Sequence, residues 1–117
     1  MPGTVVIVDD HPTFRAVART LVSDAGYTVV GEAADGASAL QQIQEHRPDY
    51  VLLDVQLPDA DGFAVARAIA EEEDRPAVVM TSSRAAAEFG SLIERAPVRG
   101  FITKEQLSAK ALEELWR

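Results

Sequence analysis

Apolar runs of two different periods alternate along the whole chain. Thr4-Val-Val-Ile-Val8 is a short β-branched run, the signature of a strand buried on both faces. From residue 12 to 25 the period becomes helical. Phe14, Val17, Ala18, Leu21, Val22 and Ala25 fall on one stripe, and Gly26 is placed to stop the helix. Thr28–Ala33 reads as a second strand, and Asp35-Gly36 turns into a helix through 46 with Leu40 and Ile43 inward. Pro48 ends that helix, and residues 49–53 form a third strand. A helix over about 62–73 follows with Phe63, Ala66, Ile69 and Ala70 inward. Pro76 opens the fourth strand. A helix is predicted over about 85–95, carrying Phe89, Leu92 and Ile93. Arg99–Thr103 is a fifth strand, and Leu107, Ala111, Leu112 and Leu115 mark a last helix.

Strand and helix therefore repeat as (βα)₅ with short connections. Right-handed crossovers place helices on both faces of a parallel sheet. The expected class is α/β, a flavodoxin-like doubly wound five-stranded parallel sheet of order 2-1-3-4-5. Size agrees with a single domain, since 117 residues suffice for one buried core.

The polar residues that interrupt the strands carry the chemistry. Asp9 and Asp10 follow the first strand, Asp54 follows Tyr50-Val-Leu-Leu53, Thr81 follows Ala77-Val-Val-Met80, and Lys104 closes Gly100-Phe-Ile-Thr103. In an open parallel sheet the carboxyl ends of the strands form the ligand crevice. Three anions gathered there repel one another unless a cation joins them. That donor set suits a divalent metal and a phosphoryl group. One aspartate would suffice to cap the first helix, whereas two in succession plus a third exceed what capping needs. Asp54 reads either as a strand-end turn residue or as a carboxylate nucleophile toward phosphorus. Lys104 is one of only two lysines, and it reads as a phosphate-facing point charge rather than a solvated side chain. Thr81, Ser82 and Ser83 are adjacent hydroxyls, and strand register decides which of them faces the crevice.

Charge and composition narrow the field. A net charge of −8 argues against nucleic acid as a direct partner. No cysteine is present, which removes disulfides and thiol chemistry. Two distant histidines do not make a zinc site. No apolar run approaches the roughly 20 residues of a membrane span, and the chain opens on a strand without a leader, so a cytoplasmic location is expected.

These motifs resemble the receiver domain of bacterial two-component response regulators over essentially the whole chain. The matching residues are Asp9-Asp10, Leu53-Asp54 with Leu57-Pro58 and Asp61-Gly62, Thr81 five residues after Pro76, and Lys104. Val8–Arg15 and Val30–Gly36 are similar to the subclass that carries a LuxR-type helix-turn-helix output. Residues 1–117 are expected to form one receiver domain with no output domain in this chain, either excised from a longer regulator or standing alone. The resemblance makes Asp54 the phosphoacceptor, supplied by a sensor histidine kinase. Mg²⁺ would be held by Asp10, Asp54 and the backbone carbonyl of Gln56, with Asp9 acting mainly through water. Thr81 and Lys104 would read the phosphoryl group, and Phe101 would be the switch aromatic or simply a core residue. The surface of helix 4, strand 5 and helix 5 would then change for a homodimer or output partner. Such a chain forms and hydrolyses only its own aspartyl phosphate and is not an enzyme acting on a separate substrate.

Two departures stand out. Glu105 replaces the proline usual after the lysine, and the segment from Thr81 to Lys104 is one residue longer than the common spacing, which leaves Ser82 as an alternative hydroxyl. Three other classes compete. A flavin module needs a hydroxyl- and glycine-rich phosphate loop where Asp9-Asp10 stands. An aspartyl phosphatase carries a second acid at the position of Gln56. A receiver-like docking module would work without phosphorylation. His11 reads as a first-turn residue of helix one that could tune the metal loop, with Pro12 in a favoured early position. His46 reads as a surface residue, and Trp116 either packs on the domain or marks a contact surface.

Overall fold

The structure, a computed structural model, describes residues 3–116. Five strands are formed: β1 (Thr4–Val8), β2 (Thr28–Ala33), β3 (Tyr50–Asp54), β4 (Ala77–Ser82) and β5 (Gly100–Thr103). They pair in parallel in the order β2-β1-β3-β4-β5, as the alternation of periods predicts. The helices are α1 (Pro12–Asp24), α2 (Gly36–His46), α3 (Gly62–Ala70), α4 (Leu92–Arg95) and α5 (Ala109–Trp116).

Period two splits each apolar strand between two core layers. Val6, Val8, Val51, Leu53, Val78 and Met80 pack with Ala39 and Ile43 of α2 and Phe63, Ala66 and Ile69 of α3. Their strand neighbours Val5, Ile7, Leu52 and Val79 pack with Ala18 and Val22 of α1 and Leu112 and Trp116 of α5. Burial on both faces is why these strands read as continuous apolar runs. Trp116 belongs to this second layer, not to a contact surface. It is buried, its Nε1 donates to the Val51 carbonyl at 3.3 Å, and its ring lies 4.9 Å from Tyr50 and 5.2 Å from Tyr27.

Three boundaries and one buried position differ from the periodicity. The helix expected over 85–95 is instead a 3₁₀ turn, Ala86–Phe89, followed by the single turn α4. Gly90 between them adopts φ 58° and ψ −130°, a positive-φ conformation outside any helix that favours glycine, and Ser91 adds little propensity. The helix expected to reach 73 stops at Ala70, because the run Glu71-Glu72-Glu73-Asp74 would place anions at the negative end of its dipole. Leu107 lies between a 3₁₀ turn, Lys104–Gln106, and α5, whose start is fixed by Ser108 Oγ accepting from Ala111 N at 3.1 Å. In α2 the fully buried residue beside Ile43 is Ala39, while Leu40 is half-buried.

The loop after β3 is closed by contact between backbones. Gly62 N donates to the Val55 carbonyl at 2.6 Å, and Asp61 Oδ1 caps α3 by accepting from Phe63 N at 2.6 Å. A Cβ on Gly62 would collide with the Asp54 carbonyl and lie 2.8 Å from Val55 Cα. Backbone atoms at those distances cannot yield as a flexible side chain would. Gly62→Ala is therefore expected to destabilise the fold by about 2 kcal/mol or more, within the range of overpacking, in chemical denaturation. Ala64→Ser on the exposed side of α3 should stay within about 0.5 kcal/mol of the parent.

Candidate phosphoryl-accepting site

Asp9, Asp54, Thr81 and Lys104 all emerge at the carboxyl end of the sheet. Asp54 and Thr81 are register partners at the ends of β3 and β4. Asp9 follows β1, and Lys104 follows β5. Burial of the strands below fixes these positions, since a slip of one residue would turn each side chain to the other face.

The Lys104 ammonium lies between two carboxylates. Its Nζ is 2.6 Å from Asp9 Oδ2 and 3.4 Å from Asp54 Oδ2. The same Nζ stands 4.4 Å from the centre of the Phe14 ring, an arrangement that holds a cation over the aromatic face. Asp9 is fully buried, and its Oδ1 accepts from His11 N at 2.8 Å. Neither Asp9 nor Asp10 caps α1; the N-cap is His11, with Pro12 next, so capping does not explain the acidic pair. Asp10 is more exposed, and its Oδ1 lies 3.1 Å from His11 Nδ1. Asp54 Oδ1 accepts from Gln56 N at 3.2 Å. Burial, reinforced by the nearby negative charge of Asp9, pushes the Asp54 carboxyl up to about 6, while Lys104 and the Gln56 N–H pull it back only in part.

The hydroxyls separate as register dictates. Thr81 is fully buried and its Oγ1 has no hydrogen-bond partner. Ser82 Oγ accepts from Arg84 N at 3.0 Å, and Ser82 and Ser83 line the crevice. Asp10, His11, Asp54, Gln56 and Lys104 share that crevice, a cavity of about 190 Å³. Phe101 is half-buried, with its ring 5.8 Å from Phe89, which in turn is 5.9 Å from Phe63. Lys104-Glu105 is a trans peptide within the 3₁₀ turn, so the loop forms without the usual proline.

Periodicity and spacing miss three participants. Phe14 reads simply as a core residue of α1. Arg15 Nη1 donates to the Asp9 carbonyl at 2.6 Å, and Arg15 and Arg19 both reach Glu32, at 3.2 and 2.6 Å. The helical spacing of Arg15 and Arg19 is a signal of a shared partner, but the position of that partner on β2 is set by sheet pairing.

One group of donor atoms stands out for cation binding. Oxygens of Asp9, Asp10 and Asp54 and a ring nitrogen of His11 all lie within 4.8 Å of one another. The oxygens suit a hard divalent cation, and the fully buried, unpartnered Thr81 hydroxyl at the register position beside Asp54 is a further polar atom at this edge. No helix among the described residues is long and apolar enough to cross a membrane.

A doubly wound parallel sheet of this order, with an acidic, lysine-bearing crevice at its carboxyl edge, defines a flavodoxin-like α/β module. The chain belongs to the response regulator receiver domain family, whose pattern matches residues 5–115. It is 46% identical over 80 residues to "Probable transcriptional regulatory protein NarL" of Mycobacterium tuberculosis, a match covering 68% of this chain and 37% of that protein. The receiver domain structure of NarL from the same organism superimposes with a TM-score of 0.85 at 36% identity, covering 97% of this chain and 94% of that one. A LuxR-family two-component response regulator from Aurantimonas sp. SI85-9A1 gives 0.86 at 29% identity, covering 97% and 81%. The chain spans between 23% and 55% of the length of the first full-length relatives.

The raised Asp54 carboxyl has a thermodynamic consequence. With a folded-state value near 6 against 3.8 unfolded, the native state binds more protons between those pH values. Stability from this group therefore falls as pH rises from about 4 to 6 and stays low above. In Mg²⁺-free buffer at pH 7.5, Asp54→Asn should stabilise the protein by about 1–2 kcal/mol, allowing for solvent screening in the open crevice. The gain should vanish below about pH 4 in denaturant titrations.

Proposed function

We propose that this chain is a phosphorylation-operated switch in which Asp54 accepts a phosphoryl group from a sensor histidine kinase. The observation that carries this reading is Asp54 at the end of β3, 3.4 Å from the Lys104 ammonium and within the cluster formed with Asp9 and Asp10. With its carboxyl raised only to about 6, Asp54 is mostly ionised at pH 7, as attack requires, while burial leaves it poorly solvated. A carboxylate oxygen of Asp54 attacks phosphorus, the P–N bond of a phosphohistidine breaks, and the leaving imidazole takes up a proton. The phosphoryl group ends on Asp54 as an acyl phosphate.

Asp10 and Asp54, with the backbone carbonyl of Gln56, would hold Mg²⁺, and Asp9 would act mainly through water. When bound, the ion neutralises charge on the transferring group. Lys104 supplies the second positive charge and is steadied for that task by Phe14. Thr81 contributes the hydroxyl for a phosphoryl oxygen, since its Oγ1 has no competing partner, whereas Ser82 Oγ is engaged with Arg84. Movement of Thr81 toward the phosphoryl group opens space for Phe101, which rests on Phe89 just before α4. The surface of α4, β5 and α5 would change with it and present an altered face to a second copy or an output partner. This is a two-state element biased by local charge. No substrate other than the kinase phosphoryl group is turned over.

Intact-mass measurement after incubation with Mg²⁺ and a small acyl phosphate should show a labile gain of one phosphoryl group. Asp54→Ala and chelation should each abolish it. Lys104→Ala should slow its appearance about 100-fold, the order expected for loss of a charge-stabilising donor. A folded wild-type protein that gains no mass would instead favour a docking module that works without phosphorylation.

A further inference from the structure

The imidazole of His11 faces the same oxygens that define the acidic cluster. His11 Nδ1 is 3.1 Å from Asp9 Oδ1 and 3.1 Å from Asp10 Oδ1. Ligand atoms about 2.1 Å from a cation and at right angles to one another lie about 3.0 Å apart. The two spacings from Nδ1, one of them also a hydrogen-bonding distance to Asp9, thus match the edge length of a coordination octahedron. Asp54 completes the set, all within 4.8 Å. Asp9 is fully buried, and its Oδ2 has no hydrogen bond and is met only by the Lys104 charge. His11 borders the same cavity as Asp10 and Asp54 and is itself exposed, so it can turn onto an ion without uncovering the core.

A ring nitrogen changes which ion the site prefers. Mg²⁺ is a hard cation that takes oxygen and keeps several waters, so it gains little from imidazole. Cobalt, nickel, copper and zinc ions bind imidazole well, and their affinity for mixed nitrogen and oxygen sites rises through the first transition row. We propose that His11 is a fourth ligand in this crevice and makes it a site for a borderline divalent transition metal, bound more tightly than Mg²⁺. The ion competes with Mg²⁺ for Asp10 and Asp54. The inference rests on the crevice being a divalent-metal site, as the proposed function requires.

Co²⁺ is the probe, because a cobalt-bound imidazole gives proton resonances shifted far outside the ordinary range. Calorimetric titration of the full chain with Mg²⁺ and separately with Co²⁺ reads affinity without any phosphorylation. The wild type should bind Co²⁺ about tenfold or more tighter than Mg²⁺. His11→Ala should lose most of that advantage and the shifted ring resonance, yet keep its Mg²⁺ affinity within about twofold. His46→Ala, which changes the other histidine, should behave as wild type. Equal loss of both ions in His11→Ala would overturn the proposal, the imidazole then only supporting the loop. Unchanged Co²⁺ binding in His11→Ala would overturn it as well. Failure of the wild type to bind either ion would overturn the metal reading itself, and with it this inference. Binding of Mg²⁺ without a Co²⁺ preference would leave the switch intact and remove only the role of His11.

Discussion

The crevice depends on one cation held between two anions that the sheet forces together. Asp9 and Asp54 leave adjacent parallel strands, and burial prevents water from screening their repulsion fully. The Lys104 ammonium meets both, and its position follows from β5 lying at the far side of β4. Burial first, and the negative charge of Asp9 second, push the Asp54 carboxyl up, and the ammonium offsets them only in part. An acidic edge left partly uncompensated attracts a further positive charge, and under the proposed transfer a phosphoryl group would meet a poorly solvated carboxylate there. A buried, raised carboxyl at Asp54 lowers fold stability, an arrangement that is common where a site is built for reaction rather than for packing.

Support for this arrangement extends backward from the crevice. Arg15 ties the Asp9 carbonyl to α1, and Glu32 joins Arg15 and Arg19 to β2. Asp59 performs a similar service on the other side, accepting from Gly36 N at 2.7 Å and Ala37 N at 3.1 Å, bonds that hold its carboxyl below the usual range. The loop after β3 is thereby fastened to the start of α2. Both loops that carry acidic residues are anchored by side chains that never enter the crevice.

Much of this was legible in the chain. Continuous β-branched runs showed strands buried on two faces, and polar residues at their ends showed which side chains gather at one edge. Asp54 and Lys104 are fifty positions apart, yet strand alternation alone brings them to one edge. The segment 85–95 was misread because a few apolar residues suggest a helix stripe, while one glycine with positive φ decides the outcome. The orientation of His11 was not legible either. It follows from the turn that Asp9 Oδ1 imposes on the backbone after β1, a local geometry that residue spacing does not encode. The different settings of Thr81, buried beside Asp54, and Ser82, at the crevice, likewise needed register, since adjacent strand residues face opposite layers.

The two core layers differ in how much chain each requires. Buried members of the layer under α2 and α3 run from Val6 to Met80. Those of the layer under α1 and α5 run from Val5 to Trp116, joining residues near opposite ends of the sequence. During synthesis the first layer has all its fully buried members once residue 80 has emerged. The second stays open until Trp116 can seat against Tyr27 and Tyr50. A nascent chain therefore passes through a stage with one sheet face covered and the other covered only by α1, and the late, long-range closure of α5 governs how long the rest of that apolar face is exposed to other chains.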